Sequence, residues 1–180
     1  MGWLGVIERL AYRPRQLLTA LRGKVSSEEM ADARRVLGNN LYAIFAPLPR
    51  PYRRHAINVY RRVVSAGCSD TAVLQAALLH DAGKYDPTSG HYVTVLHRIS
   101  VVLLDALPGG KRLLGWLAVP RRRDALFYPF YLSVHHPMLG AKLAASHGAS
   151  DAVVSLIANH QRRGAGSAEL SVLQAADDSS

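Results

Sequence analysis

Apolar residues recur at helical spacing along nearly the whole chain, while alternating strand patterns are short or missing. In residues 3–22, Leu4, Ile7, Leu10, Leu17, Leu18 and Leu21 repeat with arginines between them, interrupted by Pro14. This pattern favours a helical hairpin packed on the core, although a basic amphipathic segment on a membrane surface has the same signature. Ser26-Ser27-Glu28-Glu29 reads as a cap with an acidic first turn and opens a helix to about Phe45. Pro47, Pro49 and Pro51 force a loop. A helix is expected from about Tyr52 to Ala66, ended by Gly67. Ser69-Asp70 caps another that runs through Leu74 and Leu78 to His80-Asp81, with Gly83 as its stop.

Residues 84–91 read as a polar loop and residues 92–107 as a strongly apolar helix. Residues 108–130 mix glycine, proline, the run Arg121-Arg122-Arg123 and aromatics. Pro137 suggests a new helix with proline at its first position, ending near Gly148. Ser150 caps the next, to about Arg162, and residues 164–167 link it to a last helix near the C-terminus. The fold class read from this pattern is all-α.

Composition narrows the picture. A chain of 180 residues, 49% hydrophobic and 19% charged, can bury one core and is not a disordered composition. A formal net charge of +9 favours anionic partners: phosphorylated small molecules, nucleic acid or an acidic membrane surface. No specific nucleic-acid motif is present. A single cysteine, Cys68, excludes an internal disulfide and points to a reducing compartment. No secretory signal or membrane-spanning run is read, so the expected location is cytoplasmic, with a peripheral membrane contact through residues 1–24 as an open expectation.

The candidate chemistry lies at histidines and aspartates. His80-Asp81 ends an apolar helix at a glycine turn; imidazole and carboxylate are standard ligands for Zn, Mn or Fe. Alone, the dipeptide reads more readily as a polar helix terminus. His55 continues a core stripe formed with Val59 and Val63, and Asp177 lies in line with Leu170 and Leu173. An ionised aspartate on an apolar stripe is costly unless a cation or hydrogen bonds compensate it. The four residues together suggest a buried cation site, against the plainer alternatives of a hydrogen-bonded core histidine and an aspartate at a surface end.

The segments Arg54-His55-Ala56-Ile57-Asn58-Val59, Ala76-Ala77-Leu78-Leu79-His80-Asp81-Ala82-Gly83-Lys84 and Gln174-Ala175-Ala176-Asp177 resemble the H…HD…D signature of the HD-domain superfamily of metal-dependent phosphohydrolases. The resemblance covers about residues 40–178. It implies a bundle of about six to eight helices; with the residue pattern of the N-terminus, the expected organisation is a basic amphipathic segment at residues 1–24 and an HD domain at 25–180. Its implied metal ligands are His55, His80, Asp81 and Asp177. His136-Pro137-Met138-Leu139-Gly140-Ala141 resembles the HPxxGA element of the dinuclear, HDIG-like subgroup, which makes His136 a ligand in preference to His135. Ile157-Ala158-Asn159-His160-Gln161 resembles a later element in which a His-His pair is usual; here only His160 is present. The Gly-Tyr-Pro segment of HD-GYP proteins is missing, so cyclic-di-GMP hydrolysis is not implied.

The resemblance implies hydrolysis of a phosphomonoester or phosphodiester, nucleotide-like in kind, with one or two divalent ions (Mn, Fe, Co, Ni or Zn). Asp81 would ligate or bridge the metal and Lys84 would meet a phosphate oxygen; an ordinary cation at a helix C-terminus is an equal reading of Lys84. Arg53, Arg54 and Arg121 to Arg123 are further phosphate-binding candidates or solvated faces. The aromatics Phe127 to Tyr131 fit packing better than base stacking. His91 is read as a loop residue that could face the pocket, His97 as helix surface or core, and His147 as structural. The alternative function is a non-catalytic metal-binding HD-fold sensor or scaffold.

Overall fold

The computed structural model describes residues 24–120, 126–162, 164 and 166–180. The expected N-terminal segment, apart from Lys24, and the Arg121 to Arg123 run lie outside them. Among the described residues there are eight helices: α1 (Ser27–Phe45), α2 (Arg50–Ser65), α3 (Thr71–Leu79), α4 (Val95–Ala106), α5 (Gly110–Leu117), α6 (Tyr128–Ser146), α7 (Asp151–Asn159) and α8 (Ala168–Asp178). They contain no sheet; a single antiparallel bridge joins Tyr85 and Tyr92. The protein is an all-α bundle.

Local chemistry starts four of these eight helices where the residue pattern predicts. Ser26 accepts from the Glu29 amide while Glu29 reaches back to the Ser26 amide, a complete capping box. Asp70, Ser150 and Ser167 accept from the amides of Val73, Val153 and Leu170. α1 bends at Gly38, whose φ of 66° no other residue type adopts cheaply.

The chain departs from the expected pattern at four places. α2 begins at Arg50, not Tyr52, because Pro51 fits the first helical turn, where no amide donor is required. α4 begins at Val95 because Thr94 caps it and Tyr92 is held in the bridge. A helix not expected from the pattern, α5, stands within residues 108–130. Pro137 does not open a helix: it lies in the middle of α6, which is continuous from Tyr128.

α3 is apolar on every side and therefore central: it packs against α1, α2, α7 and α8. Val73, Ala76, Ala77, Leu78 and Leu79 are buried in it and join Phe45, Val59, Val63, Ile157 and Leu173 in one core. Each fully buried leucine, isoleucine or phenylalanine contributes roughly 2 kcal/mol. α6 packs on α7 and on the short 3-10 turn Ala82–Lys84 that follows α3. α4 and α5 form a hairpin that leans on α6, beside a small separate cluster of Val93, Tyr128 and Leu132.

Candidate metal centre

α3 stops at Leu79, and His80 is its C-terminal cap. Adjacent helical side chains diverge by about 100°, but the chain leaves the helix here, so His80 and Asp81 both turn into one space. Both are buried. The next residues allow a close approach: a Cβ on Gly83 would lie 2.2 Å from the His136 carbonyl oxygen, so only glycine lets α6 pack against this turn. That packing brings His136 Nε2 to 3.5 Å from Asp81 Oδ1.

The remaining members arrive from three other helices. His55 on α2 follows the Val59–Val63 stripe inward, and its Nε2 lies 3.0 Å from Asp177 Oδ1 on α8 and 3.8 Å from Asp81 Oδ2. His80 Nε2 is 3.5 Å from Asp177 Oδ1 and 3.6 Å from Asp81 Oδ1. His160, which caps α7, places Nε2 3.8 Å from Asp81 Oδ1 and 3.2 Å from His136 Nε2. Two groups of possible ligands result, His55/His80/Asp177 and Asp81/His136/His160, each with donor atoms within 4.8 Å of one another.

Three imidazoles are held the same way. Nδ1 of His80, His136 and His160 lies 3.0, 2.7 and 2.7 Å from the carbonyl oxygens of Ala77, Ser133 and Ile157. A carbonyl only accepts, so each Nδ1 carries the proton and each Nε2 turns to the cluster, the second hydrogen bond that orients metal-ligating histidines. Ala77 and Ile157 lie in last helical turns, where carbonyls lack intrahelical partners. Ser133 is freed differently: Pro137, four residues on, has no N–H to give it.

The electrostatics call for a cation. Burial pushes the His136 pKa well below the ordinary imidazole value, helped by Lys84, and takes His160 from 6.5 to about 4. Both rings are then neutral at pH 7, with Nε2 lone pairs facing each other and both side chains buried. Burial also opposes charge on His80, but the carboxylates of Asp81 and Asp177 outweigh it and raise its pKa. Burial would raise both carboxyls; Lys84 and His80 instead hold Asp81 well below the carboxylate range, and His80 and His55 do the same for Asp177. Nε2 of His55 and of His80 are shielded from water and find no aligned hydrogen-bond partner among the described residues. Buried orphaned nitrogens beside ionised carboxylates are costly, and a divalent cation satisfies both. The cluster can therefore hold a metal ion.

Lys84 is not a surface cation. It is buried, with Nζ 2.7 and 2.8 Å from the two oxygens of Asp81, and burial lowers its pKa. Arg54 is not turned to the cluster either: it donates to both oxygens of Glu29 and to the Lys24 carbonyl. Arg53 reaches the Ala46 carbonyl. Where a second histidine would stand, Asn159 bonds Ser155 and Arg162, and Gln161 is exposed. His135 is exposed and rests on Tyr131. His91 packs edge-on against Tyr128, His97 bonds its own helix cap Thr94, and His147 meets the Leu143 carbonyl. Tyr128 and Tyr131 stack on each other.

Arg98 was missed by the residue pattern. Its charge acts on Lys84 and on Tyr52, whose hydroxyl donates to the Val93 carbonyl. No signal in its own segment separates it from other helical arginines. No family model matches the chain, and no curated protein or solved structure matches it significantly.

Proposed function

We propose that the protein is a metal-dependent phosphohydrolase acting on a phosphomonoester or phosphodiester of nucleotide-like chemistry. The observation that carries this reading is the position of Asp81, a buried carboxylate that belongs to one group of donors and lies 3.6 and 3.8 Å from the histidines of the other, with Lys84 paired to both its oxygens. The H…HD…D resemblance of the segments around His55, His80, Asp81 and Asp177 supports it, as does that of the His136 element.

His55, His80 and Asp177 would hold one divalent ion, and Asp81, His136 and His160 a second. Such an ion supplies Lewis acidity and an activated water at neutral pH. The chain's own groups do the rest. The carbonyl partners of His80, His136 and His160 keep those rings aimed. Asp81 ties the two donor groups together. Two of the three N–H donors of Lys84 go to Asp81, and in this proposal the third meets a phosphate oxygen. Two carboxylates against one ammonium leave the cluster with one net negative charge when the rings are neutral, so a divalent ion reverses its sign and favours an anionic substrate.

The test is turnover. Metal-stripped protein is offered a panel of nucleotides and an aryl phosphate ester, with Mn, Fe, Co, Ni or Zn added back. The reading expects metal-dependent hydrolysis that disappears in His80→Ala/Asp81→Ala. Metal uptake without turnover on any ester would replace it with a metal-bound sensor or scaffold.

A further inference from the structure

α4 carries apolar residues on its solvent side as well as on its half-buried side. A helix on a protein surface normally turns its apolar stripe to the core, yet no residue of α4 is buried. Leu96, Ile99 and Leu103 recur at helical spacing on its exposed side, and Leu96 is 75% exposed. Leu107 in the connection and Leu113 and Trp116 on α5 extend the same apolar surface, with Leu107 and Trp116 each 59% exposed. Large apolar surfaces of this kind mark sites of interaction. Lys111 and Arg112 stand exposed at the start of α5, and the hairpin's one acidic residue, Asp105, lies 3.9 Å from the Lys111 ammonium in a solvent-exposed pair that leaves Arg112 unmatched by any acid of the hairpin.

We propose that the α4–α5 hairpin lies on an anionic lipid surface, with its leucines and Trp116 in the headgroup–acyl boundary and Lys111 and Arg112 against acidic headgroups. Apolar side chains bordered by basic residues are the composition of helices that lie in a membrane interface. No helix among the described residues is long and apolar enough to cross a membrane, which fits lying on it. Charge argues against a second copy as the occupant: two chains of net charge +9 meeting through this face would bring their cations together, whereas an acidic bilayer neutralises them. The hairpin springs from the rim of the histidine–aspartate cluster, because the Val93 amide donates to the Lys84 carbonyl and Tyr85 bridges Tyr92. The proposal goes beyond the hydrolase reading and stands without it.

The experiment is flotation of the full chain with phosphatidylcholine vesicles, with and without phosphatidylglycerol. Two variants accompany it, Leu96→Ser/Leu103→Ser/Trp116→Ser and Lys111→Glu/Arg112→Glu, each checked for helicity by circular dichroism and for mass by light scattering. Wild type should float with the acidic vesicles. The apolar variant should lose roughly tenfold or more in binding, and the charge variant at least about fivefold per residue changed, with helicity kept. Should the apolar variant fail to fold, the charge variant alone decides. Wild type that stays unbound overturns the proposal. So do variants that float as well as wild type, which would move the contact to another part of the chain. So too does a wild-type dimer that the apolar variant makes monomeric, which would assign the face to self-contact.

Discussion

At His80, His136 and His160 the Nδ1–H donates to a carbonyl three residues earlier in the chain, and the ring is thereby aimed. For His136 that carbonyl is available because Pro137 cannot claim it. Replacing Pro137 with alanine restores an amide that competes for Ser133. The expected outcome has two opposite parts. Metal-stripped Pro137→Ala melts at or above wild type, because proline inside a helix costs about 3 kcal/mol. Its affinity for Zn or Mn falls roughly tenfold, the usual effect of removing such a support. Calorimetric titration beside thermal unfolding checks both, and unchanged affinity would show that the Ser133 bond does not orient the ring. At this scale the stripes carrying His55 and Asp177 were legible in the sequence, since helical spacing to Val59, Val63, Leu170 and Leu173 aims them inward. The burial of Lys84 was not, because it depends on α6 closing over the turn from more than forty residues away.

Helix contacts explain how the site is held and where reading by periodicity stopped. Arg54, next to His55, clamps α2 to α1 through Glu29, whose pKa falls from 4.5 to about 2, chiefly through the hydrogen bond from Arg54. A carboxyl depressed in the folded state adds stability that is present above 4.5 and lost as pH falls toward 2. Glu29→Gln should therefore be about 2 kcal/mol less stable at neutral pH. The gap should close across that acidic window as the wild-type carboxyl takes up its proton, which urea unfolding at several pH values measures. Gly83→Ala should cost about 1–3 kcal/mol, since its methyl would press on the backbone of His136 and Gly140; an unchanged urea midpoint would mean that α6 yields freely. Caps were legible at Ser26, Asp70 and Ser150 because the signal is local. The course of α6 was not: proline signals a helix start or a helix interruption equally, and packing on α7 and the Ala82–Lys84 turn decides for a continuous helix.

Across the whole molecule, the six clustered side chains come from α2, from the end of α3 and its turn, from α6, from the end of α7, and from α8. A bound ion would tie these elements together and stabilise the fold by about 2.7 kcal/mol at a hundredfold excess over its dissociation constant. A chelator should accordingly lower the thermal midpoint of metal-loaded wild type and leave His80→Ala/Asp81→Ala unmoved. The all-α class was legible from periodicity alone, but the meeting of two candidate donor groups at Asp81 required the fold, since no local pattern says that α6 and α7 close on the same carboxylate. The most direct test of the account is calorimetric titration of the metal-stripped 180-residue chain with Mn, Fe, Co, Ni and Zn, wild type beside His80→Ala/Asp81→Ala. The account predicts saturable uptake of one or two ions by wild type and none by the variant, with helicity equal in both. No uptake of any of these metals, or equal uptake by the two proteins, would contradict it.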